Sequence, residues 1–280
     1  MTITFSETQK NRLTDLGWKD RLVTEEFETA EQREKAYKKI EKAAIAKNRE
    51  RLLRLIGETH QPQLCNLEQN LSACLREQGF TQVTTPSIIS KVFLERMSLD
   101  EAHPLNRQVF WLDQKTCLRP MLAPNLYAVS RQIMNFAQTP LKIFEIGSCF
   151  RKESEGKLHL KEFTMLNLVE WGTPMEERLE RLKELADIVL RAVPIRDYYL
   201  EEEFSQIYGD ALDIVSREGI ELASTSMGPH PLDSAWKISC SWVGIGFGLE
   251  RLLVCREEDE GIHRYSKSIS FLDGARLNIK

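Results

Sequence analysis

Residues 144–171, FEIGSCFRKESEGKLHLKEFTMLNLVEW, constrain the fold more than any other stretch of the chain. Two apolar, β-prone runs, residues 143–150 and 163–169, flank a loop carrying Arg151, Lys152, Glu153, Glu155, Lys157, His159, Lys161 and Glu162. Runs of this length around a polar segment predict an antiparallel pair of strands. Such a pair buries one face and presents its loop at the mouth of a cleft. An Arg at the end of a strand suits a phosphate, because its planar fork bonds two oxygens at once. Taken alone, the stretch also reads as a surface hairpin laced with ion pairs, so the rest of the chain has to decide.

A chain of 280 residues, 42% hydrophobic, can bury a sizeable core, which points to one main domain with a smaller appendage. Its net charge of −4 argues against a general nucleic-acid binder, although this average hides a local asymmetry. The cysteines at 65, 74, 117, 149, 240 and 255 form no CxxC pair, and no His stands at zinc-finger spacing. The first residues lack the apolar core of a signal peptide, and no run reaches membrane length. The expectation is a cytoplasmic protein whose cysteines are reduced and mostly buried, with no structural zinc and no membrane contact.

Residues 1–60 read as a helical, basic appendage and residues 61–280 as the main domain. Ser6 with Gln9, and Thr29 with Gln32, each match a capping box. The second helix should span residues 30–56. Between Thr29 and Arg54 it carries nine Lys or Arg against four Glu. This is either a solvated helix with spaced ion pairs or an arm for a nucleic-acid backbone. A helix at 64–79 with Leu64, Leu67, Leu71 and Leu75 on one face then leads into a strand, FTQVTTP, ending at Pro86. Further on, the pattern predicts a short helix at 91–98, strands at 108–112 and 116–119, and a helix through RPMLAPNLYAVSRQIMNF with Pro124 in its first turn. An amphipathic helix follows at 175–193, then strands from Tyr198, around Val215 and at 220–224, with Tyr208-Gly209-Asp210 on a loop. In WVGIGFGLERLL, residues 242–253, alternating Gly244, Gly246 and Gly248 clear one face of a strand that runs straight into a helix bearing Arg251. The dinucleotide fingerprint is excluded, because the acidic follow-on residue and its context are missing.

In order, the helix–strand–Pro unit, the strand–loop–strand with Arg151, Glu153 and Phe163, and the glycine strand running into Glu250-Arg251 resemble the three motifs of class II aminoacyl-tRNA synthetases. RPMLAPNLY, FRKES, HLKEFTMLN and GFGLERLL narrow the resemblance to the pyrrolysyl-tRNA synthetase family, in its catalytic part, over residues 60–280. The resemblance implies an α+β fold, a class II synthetase-like antiparallel sheet of six or seven strands flanked by helices, with a helical N-terminal appendage. It also implies ATP-dependent charging of a suppressor tRNA, tRNA(Pyl), with pyrrolysine through an aminoacyl-adenylate, by a homodimer that uses ATP and Mg2+. Arg151 and Arg251 are the implied catalytic residues. Arg151, Glu153, His159, Leu160, Phe163, Glu221, Ser224 and Arg251 are implied to bind ATP, with Glu221 and Ser224 toward the metal. An amino-acid pocket of Ala123, Leu126, Tyr127, Ser130, Asn167, Val169, Tyr208, Ser226 and Trp242 is implied as well, with Tyr208 as a lid.

That pocket holds no acid to meet a free ammonium. Asn167 is its polar member and suits the carbonyl of an acylated lysine. Val169 stands where some relatives carry Cys, Ser226 where others carry a small aliphatic residue, and Ser130 where a larger apolar residue occurs. A methylene more or less is worth only about 1–3 kcal/mol of discrimination, so several acylated lysines should be tolerated. The resemblance further leads to the expectation that the separate N-terminal tRNA-binding domain of long family members is lacking. The expectation is a type that works without it, or one whose tRNA-binding subunit is encoded separately. The basic arm then becomes the tRNA contact, represented by Lys38, Lys39 and Lys42.

Overall fold

The computed structural model describes residues 3–18, 25–152, 158–205, 207–257 and 261–279. In chain order the elements are α1 (Glu7–Asp15), α2 (Ala30–Gly57), α3 (Gln63–Glu77), β1 (Thr81–Gln82), β2 (Ile88–Ser90), α4 (Lys91–Glu95), β3 (Thr116–Leu118), α5 (Ala123–Ile133), β4 (Leu141–Phe150), β5 (Glu162–Trp171), α6 (Arg178–Ala192), β6 (Tyr198–Ser205), β7 (Gly209–Ser216), β8 (Glu221–Gly228), α7 (Asp233–Trp236), β9 (Trp242–Gly248), α8 (Leu249–Arg256), β10 (Phe271–Leu272) and β11 (Ala275–Arg276). They form two compact units.

The first unit comprises Met1–Gln63 together with His263–Lys280. Both of its helices start on the expected capping boxes, in which Ser6 and Thr29 accept from the backbone N–H groups of Gln9 and Gln32. Only Ala44, Asn48 and Leu52 of α2 are buried. Asn48 treats the returning C-terminal segment like a strand partner: its Nδ2 donates to the Arg276 carbonyl and its Oδ1 accepts the Arg276 N–H, both at 2.8 Å. The division at residue 60 did not anticipate that residues 263–280 lie with the first unit. Nothing in their local pattern names Asn48 as their anchor.

The second unit, Leu64–Ile262, is built on a 7-stranded sheet of order β1-β4-β5-β9-β8-β7-β6. The sheet is antiparallel apart from the parallel β1–β4 edge pair. β4 and β5 pair along their full length, from Leu141 opposite Trp171 to Phe150 opposite Glu162. Residues alternate across a strand, so Thr164, Leu166 and Leu168 of β5 and Val243, Ile245 and Phe247 of β9 are buried on one face, where α6 and α8 pack. On the other face α4, α5 and α7 enclose an aromatic core with Tyr127, Trp171, Trp236 and Trp242.

Several sequence expectations change here. Residues 108–112 are not a strand. Pro104–Gln108 is a short 3-10 helix, and only Trp111 bridges to Cys117. The Gln108 carbonyl is taken by the Lys152 N–H at 2.7 Å, and Asp113 curls the chain by accepting from the Lys115 and Thr116 N–H groups. The partner of β3 is β2 instead. The strand before Pro86 is cut to Thr81–Gln82, because Thr85 turns aside to donate to Glu145 through both N–H, at 3.0 Å, and Oγ1, at 2.7 Å. Gly209 and Asp210 belong to β7 rather than to a loop. All six cysteines are free, but only Cys117 and Cys149 are buried, and Cys65 is exposed.

Candidate active site

The 163-165-167-169-171 face of β5 forms one wall of a cavity of about 600 Å³. Arg151 enters at the end of β4. Its Nε donates to the Pro120 carbonyl at 2.9 Å, and its guanidinium lies 5.2 Å above the Phe163 ring. His159, Leu160, Glu221, Ser224 and Arg251 line the same end. Arg251, in the first turn of α8, pairs with Glu221 Oε2 at 2.9 Å and donates to the Glu221 carbonyl at 3.2 Å. Glu153 lies outside the described residues.

Where β9 turns into α8, the ladder against β5 ends at Met165 opposite Gly248. The next unpaired donor of β5, the Thr164 N–H, is met by the Glu250 carboxylate at 2.9 Å to both oxygens. Glu250 is therefore buried at 2% exposure and ties the start of the Arg251 helix to the strand bearing Phe163.

At the other end, Asn167 faces Gly246 and Val169 faces Gly244 across the β5–β9 ladder. A Cβ on Gly246 would stand 3.1 Å from Asn167 Oδ1 and 3.3 Å from Met165 Cε, so the glycine gives these side chains their room. Ala123, Leu126 and Tyr127 reach the cavity from α5, Tyr208 from the turn after β6, Ser226 from β8 and Trp242 from β9. The Asn167 Oδ1 is buried and has no hydrogen-bond partner among the described residues. Ser130 does not line the cavity. It is fully buried behind it and accepts the Trp171 Nε1–H at 2.8 Å, so its residue type acts on the pocket only through Trp171. Met121, Met165, Trp171 and Ile207 also line the cavity and were not singled out from the sequence. Met165 and Trp171 were readable in principle, since they share the strand alternation with Asn167.

Burial raises the Tyr127 and Tyr208 phenols well above their ordinary range and also raises the Asp213 carboxyl. Asp213 sits across the β7–β8 ladder from Ser224, and its Oδ1 is without a partner among the described residues. An acid stands behind the pocket without lining it: Asp233, at 3% exposure, shielded from the cavity by Tyr127 and Trp242. On α2, Lys38, Lys39 and Lys42 are all exposed.

A family model described as the phenylalanyl tRNA synthetase beta chain CLM domain matches residues 54–208. Over its whole length the chain is similar to the crystal structure of pyrrolysyl-tRNA synthetase from Desulfitobacterium hafniense, with a TM-score of 0.93, 47% identity and 100% of both chains covered. The chain belongs to the pyrrolysyl-tRNA synthetase family. A second structure of a pyrrolysyl tRNA synthetase from the same organism, PylSc, gives a TM-score of 0.90 at 46% identity, over 98% of this chain and 95% of that one. More distant likeness is confined to part of the chain: 32% identity over 90 residues, 30% of this chain, with the glycine--tRNA ligase of Thermococcus sibiricus. The threonine--tRNA ligase of Rickettsia rickettsii is 32% identical over 95 residues, 33% of this chain. The matched stretches span 16% and 15% of those two curated relatives. As a pyrrolysyl-tRNA synthetase family member the chain has the class II catalytic fold, and the cavity on β5 is its candidate active site.

Proposed function

We propose that the chain joins pyrrolysine, or a closely related acylated lysine, to tRNA(Pyl) at the expense of ATP, through an aminoacyl-adenylate. The observation that carries this reading is the Asn167 Oδ1, a buried acceptor with no partner among the described residues, at the mainly aromatic and aliphatic end of the cavity. A buried acceptor left unpaired costs about 1–3 kcal/mol, and the side-chain N–H of an acylated lysine relieves it. A free ammonium could donate to the same oxygen but would find no counter-charge, because the oxygens of Asp233 are already engaged by protein donors. Whole-chain likeness at 47% identity supports the same substrate class.

The amino-acid carboxylate is ionised already, so no general base is needed. It attacks the α-phosphorus, and the bond to pyrophosphate breaks. A ribose hydroxyl of the tRNA then attacks the acyl carbon and releases AMP. Catalysis is a matter of placement and charge. Arg151, braced by Pro120 and Phe163, meets the α-phosphate. Phe163 and Arg251 sandwich the adenine, and Glu153, His159 and Leu160 read its edge. Glu221 and Ser224 would offer a carboxylate and a hydroxyl, hard oxygen donors that fit a magnesium ion. No group of three His, Cys, Asp or Glu able to hold a metal occurs among the described residues, and a magnesium ion here would take its remaining oxygens from ATP and water. The ion, when bound, screens phosphate charge. Tyr208 covers the amino acid, while Lys38, Lys39 and Lys42 meet the tRNA backbone. The active form is a homodimer, with or without a separate tRNA-binding subunit. No described helix is long and apolar enough to cross a membrane.

Amino-acid-dependent exchange of pyrophosphate into ATP tests this. Pyrrolysine and simple acyl-lysines should support exchange, and lysine and phenylalanine should not. Exchange with phenylalanine alone would overturn the substrate class, and exchange with none of them would overturn the activity.

A further inference from the structure

We propose that Asp233 is the positioning residue for the amino-acid end of the cavity, holding two of its aromatic walls and, through His230, the turn that carries Tyr208. The inference rests on reading this end of the cavity as the acyl-lysine pocket.

Asp233 does not touch the cavity, yet three donors converge on it. Its Oδ1 accepts the Tyr127 hydroxyl at 2.8 Å. Its Oδ2 accepts the Trp242 Nε1–H at 2.9 Å and the His230 backbone N–H at 2.6 Å. All three donors are neutral, and a buried carboxylate so placed is an acceptor with fixed directions. No other short side chain replaces it in full. The indole N–H and the backbone N–H can only donate, so an amide must keep its oxygen toward them and turn its NH2 to Tyr127, which reverses the sense of that bond.

Each group that Asp233 holds has a second restraint that makes its position specific. Tyr127 is caged by Trp171 edge-on at 5.2 Å, Trp236 stacked at 5.4 Å and Trp242 edge-on at 6.0 Å. The Trp242 indole covers Gly228, where any Cβ would fall on the ring. In His230, Nδ1 accepts the Leu232 N–H at 3.2 Å, which places the ring proton on Nε2, directed at the Tyr208 carbonyl 3.0 Å away. The Tyr208 ring in turn packs edge-on to His230 at 5.6 Å and to Trp242 at 6.3 Å. One carboxylate thus reaches the floor, the side and the cover of the pocket. The Arg151 end of the cavity contains none of these contacts.

The test is exchange kinetics on Asp233→Ala, Asp233→Asn and Tyr127→Phe, each with a long ring-bearing acyl-lysine, a short acyl-lysine and varied ATP. Asp233→Ala should raise the KM for the ring-bearing amino acid about tenfold or more and narrow the preference between the two acyl-lysines. The KM for ATP should stay within about twofold, since only groups at the amino-acid end lose a partner. Asp233→Asn, which keeps the acceptor for Trp242, should recover most of the loss, and Tyr127→Phe should fall between the two. Near-UV circular dichroism of the aromatic cluster should change in Asp233→Ala and be retained in Asp233→Asn. Unchanged amino-acid KM and preference overturn the proposal, as does a parallel rise in both KM values, the sign of general loosening. If Asp233→Ala does not fold, Asp233→Asn and Tyr127→Phe decide by the same readout. The ratios are taken against wild type on whichever amino acid wild type activates. Activation of phenylalanine alone would therefore overturn the substrate class while the ratios still judge Asp233.

Discussion

Arg151 reaches its position through two interactions of different kinds, a hydrogen bond to the Pro120 carbonyl and a face-on approach to Phe163. Both leave the charge at the cavity, so the side chain is placed before any phosphate arrives. Removing a preorganised charge donor typically costs about 2.7–4 kcal/mol of transition-state stabilisation, and Arg151→Ala should lose that much in exchange kinetics while its melting temperature changes little. Exchange near the wild-type rate would take Arg151 out of the phosphate role. Tyr37 and Tyr198, neither of which lines the cavity, set an alkaline limit. Burial and a hydrogen bond, to Glu41 for Tyr37 and to Asp187 for Tyr198, push each phenol up to about 12 from 10.0. The folded form therefore holds these protons more tightly than the unfolded chain. Their stabilisation is complete below pH 10 and is lost as pH rises toward about 12. Melting temperatures measured across that range should fall, and a Tyr37→Phe, Tyr198→Phe double variant should fall less steeply. Among single residues, Asn167 was legible because the strand alternation and its amide chemistry were both local. Asp233 was not, because its three donors come from residues 127, 230 and 242, and no pattern in PLDSAW distinguishes a buried acid from a surface one.

At the scale of elements, the ion pair of Arg119 and Glu145, 2.7 Å apart and 4% and 1% exposed, joins β4 to the approach of α5. Thr85 donates to Glu145, Asn125 of α5 donates to Thr85, and Gly147 leaves the space that Arg119 fills. Breaking one side of such a pair strands the other charge, so Glu145→Ala should cost about 3–5 kcal/mol in denaturant unfolding. Because α5 carries Ala123, Leu126 and Tyr127, the variant should also weaken amino-acid activation. A loss below about 1 kcal/mol would mean that the pair is dispensable. The long strands and the capped helices could be read from the chain because alternation and caps are local signals. The run at 108–112 could not, since its start is drawn off by Lys152 at the Gln108 carbonyl and its end by the turn in which Asp113 caps the Lys115 and Thr116 N–H groups. The anchoring of residues 275–276 by Asn48 depends on a partner more than two hundred residues away.

At the scale of the whole molecule, the first unit carries an exposed basic helix and the second carries the cavity. Charge reversal at Lys38, Lys39 and Lys42 should therefore separate the two half-reactions. Pyrophosphate exchange should be unaffected, while the salt dependence of tRNA charging should flatten by about one unit of slope for each phosphate left without its lysine. An unchanged slope would return these lysines to the solvent. β5 has a further consequence for the molecule as a whole. Phe163 and Asn167 are on the same strand, four residues apart, and an extended backbone covers about 13 Å over that span. The strand is held on both edges, by β4 and β9, and cannot stretch or slip without turning every side chain to the wrong face. On the proposed function, it would work as a fixed gauge between the nucleotide base and the amide of the amino acid, with the bond-forming atoms metered in between. New side-chain preferences must then arise by reshaping what faces the gauge, on α5, β9 and the Tyr208 turn, while its graduations stay as they are.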